Sequence, residues 1–157
     1  MFDLSRVEEF RENNRIEAKK ALGGLPHSIW ETYSAFANAV GGVILLGVEE
    51  WKDKSLHTVD LPDPEGMAAE FWALVNDPKV ASANILTPQQ IELDVVDGDH
   101  IIAIHVPPAT PAQRPVYVGG DPYTGSYVRS GEGDFRIPHD EVDRMLAEAR
   151  RIREPNL

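Results

Sequence analysis

The sequence predicts an α+β domain with a mixed β-sheet and helices packed mainly on one face. Three observations carry this. Val43-Ile44-Leu45-Leu46-Gly47-Val48 is an apolar run bounded by glycine, too short for a helix, and reads as a central strand covered on both faces. Ile91, Leu93 and Val95 alternate with acids, and after Asp97-Gly98 the residues Ile102, Ile104 and Val106 alternate again, which is the pattern of a hairpin. Apolar residues at helical spacing fill the segments before, between and after these strands.

In chain order, Leu4 to Arg11 reads as a short helix. Arg15 to Lys20 fits either its continuation or a strand. Gly23-Gly24-Leu25-Pro26 then breaks the chain. Ser28-Ile29-Trp30-Glu31 has the form of a capping box, and Ile29, Tyr33, Phe36, Ala37 and Val40 share one helical face. Gly41-Gly42 ends that helix, because glycine accepts the left-handed cap conformation. Asp63-Pro64 is an N-cap followed by proline at the first helical position, and Met67, Phe71, Leu74 and Val75 give the next helix its apolar stripe. Pro107 to Pro115 reads as a loop, and Tyr117 and Ser126 to Arg129 as two short strands. Val142, Met145, Leu146 and Ala149 mark a terminal helix, placed over 143–157, with Arg150, Arg151 and Arg153 near its negative end.

The 157 residues suit one domain spanning 1–157. No apolar run approaches the roughly 20 residues of a membrane span, and the first residues lack the pattern of a secretory signal. With no cysteine, disulfides, thiolate zinc sites and cysteine nucleophiles are excluded. A cytoplasmic location is the expectation. The polar ending Glu154-Pro155-Asn156-Leu157 is compatible with an exit to a missing C-terminal domain, with a complete small protein as the alternative.

The formal net charge of −11 argues against a simple nucleic-acid coat protein, since phosphate binding draws on clustered Lys and Arg. The charge is unevenly spread. Bases gather at both ends of the chain and acids dominate from Glu49 to Asp99, which leaves room for a local basic face. A P-loop needs a glycine-rich stretch ending in lysine and serine or threonine, and none occurs, so ATP hydrolysis is rejected. The five histidines have no metal-ligand spacing, and the serines do not form a recognisable triad.

Specific motifs then accumulate. They are Glu17-Ala18-Lys19, Leu25-Pro26-His27-Ser28-Ile29-Trp30-Glu31, Ser34-Ala35-Phe36-Ala37-Asn38 and Gly41 through Glu49. Later come Asp97-Gly98, Val106-Pro107 and Tyr127-Val128-Arg129-Ser130-Gly131. In this order they resemble the AlbA-2 signature, the domain that heads Schlafen-like proteins and many bacterial proteins described as transcriptional regulators. The resemblance covers nearly the whole chain. It implies a nucleic-acid-binding or regulatory domain acting on DNA or RNA, with sequence reading done by another domain. It also implies a Schlafen-like lobe that could form a groove as a homodimer.

The same resemblance implies an alternative. In Schlafen-type RNases two glutamates at the spacing of Glu12 and Glu17, with an aspartate at the position of Glu49, form a metal-dependent site that cleaves transfer RNA. Carboxylate oxygens suit Mg²⁺ or Mn²⁺, which can activate water and neutralise phosphate. On this reading Glu12, Glu17 and Glu49 are catalytic metal ligands of an endoribonuclease, and Lys19, Lys20 and Arg129 contact nucleic acid. Glutamate replaces aspartate at position 49, and Glu50 adjoins it, so the third ligand is open between the two. The plainer reading makes Glu12 and Glu17 solvated charges on a surface helix and Lys19 half of a surface ion pair. Arg129 would then be buried against an acid, and Asn38 would satisfy backbone groups at the helix end.

Overall fold

The computed structural model describes residues 4–155. A 3₁₀ turn over Leu4–Glu9 leads through a tight turn into strand β1 (Ile16–Lys19). Helix α1 (Ile29–Ala37), strand β2 (Gly42–Leu46) and a small antiparallel hairpin, β3 (Val48–Glu50) with β4 (Leu56–Thr58), follow. Helix α2 (Pro64–Val75) precedes a long antiparallel hairpin of β5 (Ile91–Val96) and β6 (Asp99–Val106). A short helical turn α3 (Pro122–Gly125), the hairpin β7 (Tyr127–Ser130) and β8 (Gly133–Arg136), and helix α4 (His139–Arg153) complete the described chain.

The main sheet has the order β1-β2-β6-β5. β1 runs parallel to β2, and the other pairs are antiparallel, so the sheet is mixed as expected. The alternation of β2 divides the core. Ile44 and Leu46 face α1 and α2, where they pack with Ile29, Tyr33, Phe36, Phe71 and Val75. Leu45 faces the opposite side with Ile101 and Ala103, where Leu4, Val7, Val48 and Leu56 cover it. Each large side chain so buried contributes about 1.5–3 kcal/mol relative to exposure. Helices α1 and α2 lie on one face, while the N-terminal turn and the β3–β4 hairpin close the other.

Several local expectations are corrected. Leu4–Glu9 is 3₁₀, and residues 16–19 form a strand because they pair with Val43 to Leu46. Ser28 makes no side-chain cap bond; its hydroxyl instead accepts from Lys19 Nζ at 3.0 Å. α1 stops at Ala37, so Val40 leaves the apolar face and is exposed. Gly41 takes φ +80 and returns its N–H to the Phe36 carbonyl, which closes the helix. Leu93 and Val95 are exposed on the edge strand β5, and Val96 is the residue buried there. Asp97 and Gly98 both take positive φ, as the hairpin signal requires. The terminal helix begins at His139, four residues before the sequence placed it.

Candidate functional site

Glu12 and Glu17 do not lie on a helix. Asn13 and Ile16 pair across a tight turn, and the Asn13 side chain accepts from the Arg15 N–H to hold it. Residue 12 is thereby folded back opposite residue 17. Glu12 Oε2 accepts from the Ala18 N–H at 3.0 Å, and its carboxyl lies close enough to that of Glu17 to feel its charge. Burial pushes the Glu12 carboxyl up to about pKa 7 against the opposing Ala18 bond, and the charges of Glu17 and Glu50 add to the rise. Near neutrality Glu12 therefore retains part of a proton that a free carboxylate would have lost.

Arg129 fixes Glu17 from below. Its guanidinium has no exposed side-chain surface and lies 2.9 Å from Glu17 and 2.8 Å from Asp134. It also donates to the carbonyls of Asn13 and Ile16 and lies over the Phe36 ring. Asp134 is held in turn by the Thr32 hydroxyl at 2.7 Å. Arg129, read from the resemblance as a phosphate contact, is thus placed behind the carboxylates, tying β7 to the turn that presents them.

The remaining residues divide. Lys19 Nζ is largely covered, between Glu17 at 3.8 Å and Ser28. Lys20 is exposed and lies 3.5 Å from Glu49. Glu49 also accepts from the Trp51 indole at 3.1 Å, and Glu50 lies 3.7 Å from Lys54. Glu12 and Glu17 therefore come together, while the contacts of Glu49 are with Lys20 and Trp51. Among the described residues no group of three or more His, Cys, Asp or Glu side chains is arranged to hold a metal ion. As they stand, these carboxylates do not fit the three-ligand centre that the resemblance implies.

Asn38 is buried at the end of α1. Its amide donates to the carbonyls of Val116 and Tyr127, and its oxygen accepts from the Val116 N–H. It satisfies backbone groups, as the plainer reading held, but groups more than 75 residues away rather than those of its own helix. Asp134, Thr32 and Trp51 were not singled out from sequence. The first two sit in unremarkable polar contexts, and Trp51 offered only its position two residues after Glu49.

Residues 12–138 match the family described as Schlafen, AlbA_2. Among solved structures, the chain is similar to the N-terminal domain of an ATP-dependent DNA helicase RecG-related protein from Nitrosomonas europaea. The TM-score is 0.64 at 27% identity, covering 85% of this chain and 90% of that one. A Corynebacterium diphtheriae protein shares the fold with a TM-score of 0.56 at 16% identity, covering 87% of this chain and 27% of that one. No curated protein matches the chain. Among the described residues no helix is long and apolar enough to cross a membrane.

Proposed function

The chain belongs to the Schlafen AlbA_2 family, and we propose that its domain associates with nucleic acid as a regulatory module. The observation that carries this reading is the likeness, over nearly the full length of both chains, to a domain of a DNA-helicase-related protein. The overall charge of −11 opposes phosphate binding, so the association falls to local cations. Lys20, Lys52 and Lys54 are exposed around the β3–β4 hairpin and are the groups in position for it. Band shifts at low salt with short single-stranded and duplex DNA and RNA test the reading. Binding that weakens as salt rises supports it, and no binding to any of the four overturns it.

A second reading, a metal-dependent endoribonuclease, is favoured by one observation: the turn at Asn13 folds Glu12 back beside Glu17. Two adjacent carboxylates suit a hard cation such as Mg²⁺ or Mn²⁺. Glu49 does not join them, since its contacts are with Lys20 and Trp51. Calorimetric titration with Mn²⁺ decides it. Binding by the wild type that Glu17→Gln abolishes supports the reading, and no binding by the wild type removes it. A homodimer belongs to the proposal as well, through the outer edge of β5, which has no partner strand among the described residues and where Leu93 and Val95 are exposed.

A further inference from the structure

We propose that the Trp51 indole is a stacking platform for one unpaired nucleobase of a chain laid over the β3–β4 hairpin. The inference rests on the nucleic-acid reading above and names the surface that would carry it.

The starting observation is an exposed tryptophan, which with Phe135 stands more than half exposed among the described aromatic side chains. Trp30 is buried and stacks on Phe71, with ring centroids 5.0 Å apart. Trp51 is instead 51% exposed. One of its faces lies on the His57 ring, with centroids 3.3 Å apart and planes 17° from parallel. A flat ring stacked on His57 and still about half exposed has the form that base stacking uses.

The platform is held on several sides. The indole N–H donates to Glu49 at 3.1 Å. The Trp51 backbone N–H donates to Ser55 and its carbonyl accepts from Lys54, which closes the hairpin loop. Beneath it, His57 Nε2 lies 2.6 Å from the Ser55 hydroxyl and its Nδ1 lies 3.8 Å from Glu8. A ring fixed in this way loses little freedom when a ligand settles on it.

The surroundings select the occupant. Lys52 and Lys54 follow Trp51 in the same loop, and Lys20 approaches from β1 by way of Glu49. These cations lie where the phosphates flanking a stacked base would pass. Glu49, Glu50, Asp53 and Glu132 lie there too, with Glu49 paired to Lys20 and both Glu50 and Glu132 paired to Lys54, so charge gives no net attraction and stacking supplies the affinity. This arrangement favours a single strand, whose bases present free faces, over a duplex, whose faces are closed. It also places the stacked base beside the Glu49 carboxylate.

The test uses the full chain at low salt with fluorescein-labelled oligothymidylate and oligouridylate of eight residues, and an abasic oligomer of the same length. Anisotropy is followed for the wild type, Trp51→Phe and Trp51→Ala. Tryptophan emission is followed for the wild type. The expected result is quenching of the wild type, near-native binding by Trp51→Phe and roughly tenfold weaker binding by Trp51→Ala. The abasic oligomer should bind the wild type about as weakly as the base-bearing oligomers bind Trp51→Ala. Equal binding by wild type and Trp51→Ala overturns the platform and leaves the nucleic-acid reading standing. No binding by the wild type to any oligomer overturns both. Thermal melting of each variant confirms that a surface substitution has not unfolded the protein.

Discussion

Arg129 reaches across from β7 to place its guanidinium 2.9 Å from the carboxylate of Glu17 on β1, with no part of its side chain exposed. The contact joins the two ends of the domain. Together with the Asn13 and Ile16 carbonyls, it holds the turn that brings Glu12 back against Glu17.

Arg129→Ala should therefore destabilise strongly. It leaves Asp134 without its cation, leaves Glu17 with Lys19 alone at 3.8 Å, and takes from the Asn13 and Ile16 carbonyls the donor they have besides each other's N–H. Breaking a buried pair by removing one partner typically costs about 3–5 kcal/mol. Urea denaturation should find a loss of that order. Arg129→Lys should recover only part of it, because a lysine cannot serve four acceptors in fork geometry. A loss below about 1 kcal/mol would show that the network is marginal.

The Glu12 carboxyl titrates near pH 7 in the folded protein, against 4.5 as its ordinary value. A raised acid binds its proton more tightly when folded. Its contribution to stability is therefore complete below about pH 4.5 and is lost as pH rises through about 7. Melting temperatures of the wild type and Glu12→Gln should converge at low pH and separate in the variant's favour by pH 8. Identical curves at both extremes would contradict the shift.

If Mn²⁺ binds at the pair, it must displace the Glu12 proton. Affinity should then climb between pH 6 and 8, and calorimetry in buffers of different ionisation enthalpy should report proton release. Affinity independent of pH would place the ion elsewhere.

Asn38→Ala removes three hydrogen bonds to Val116 and Tyr127 inside the fold. With about 1–3 kcal/mol for each buried group left unmet, the expected loss is roughly 3 kcal/mol or more. Asn38→Asp should be at least as harmful near neutrality, since a carboxylate would face two carbonyls. The check is chemical denaturation of both variants.

Gly42→Ala would set a methyl group 2.7 Å from the Phe36 ring. Overpacking of this kind costs about 1–3 kcal/mol, and Phe36→Leu in the same chain should return part of it. Failure of the double variant to recover would locate the strain in the backbone instead.

Static light scattering checks the proposed dimer. A mass near twice 17.4 kDa is expected, and charge substitutions at Leu93 and Val95 should return it to the monomer. A monomer mass for the wild type removes the dimer from the proposal.

The order of elements was legible in the sequence where local physics dominates. Val43 to Leu46 had to be a buried strand, Asp63-Pro64 had to start a helix, and Asp97-Gly98 had to turn a hairpin, because each depends on residues a few positions apart. The motifs from Glu17 to Glu49 also identified the family. The site was legible only as a list. Whether Arg15 to Lys20 is helix or strand was settled by pairing with β2, a partner more than 20 residues away. The same pairing, with the turn at Asn13, put Glu12 and Glu17 together. The depth of Arg129 and the exposure of Trp51 depend on contacts among β1, β7, α1 and the β3–β4 hairpin. Burial is a property of what covers a residue, and only the tertiary structure brings those covering segments into place.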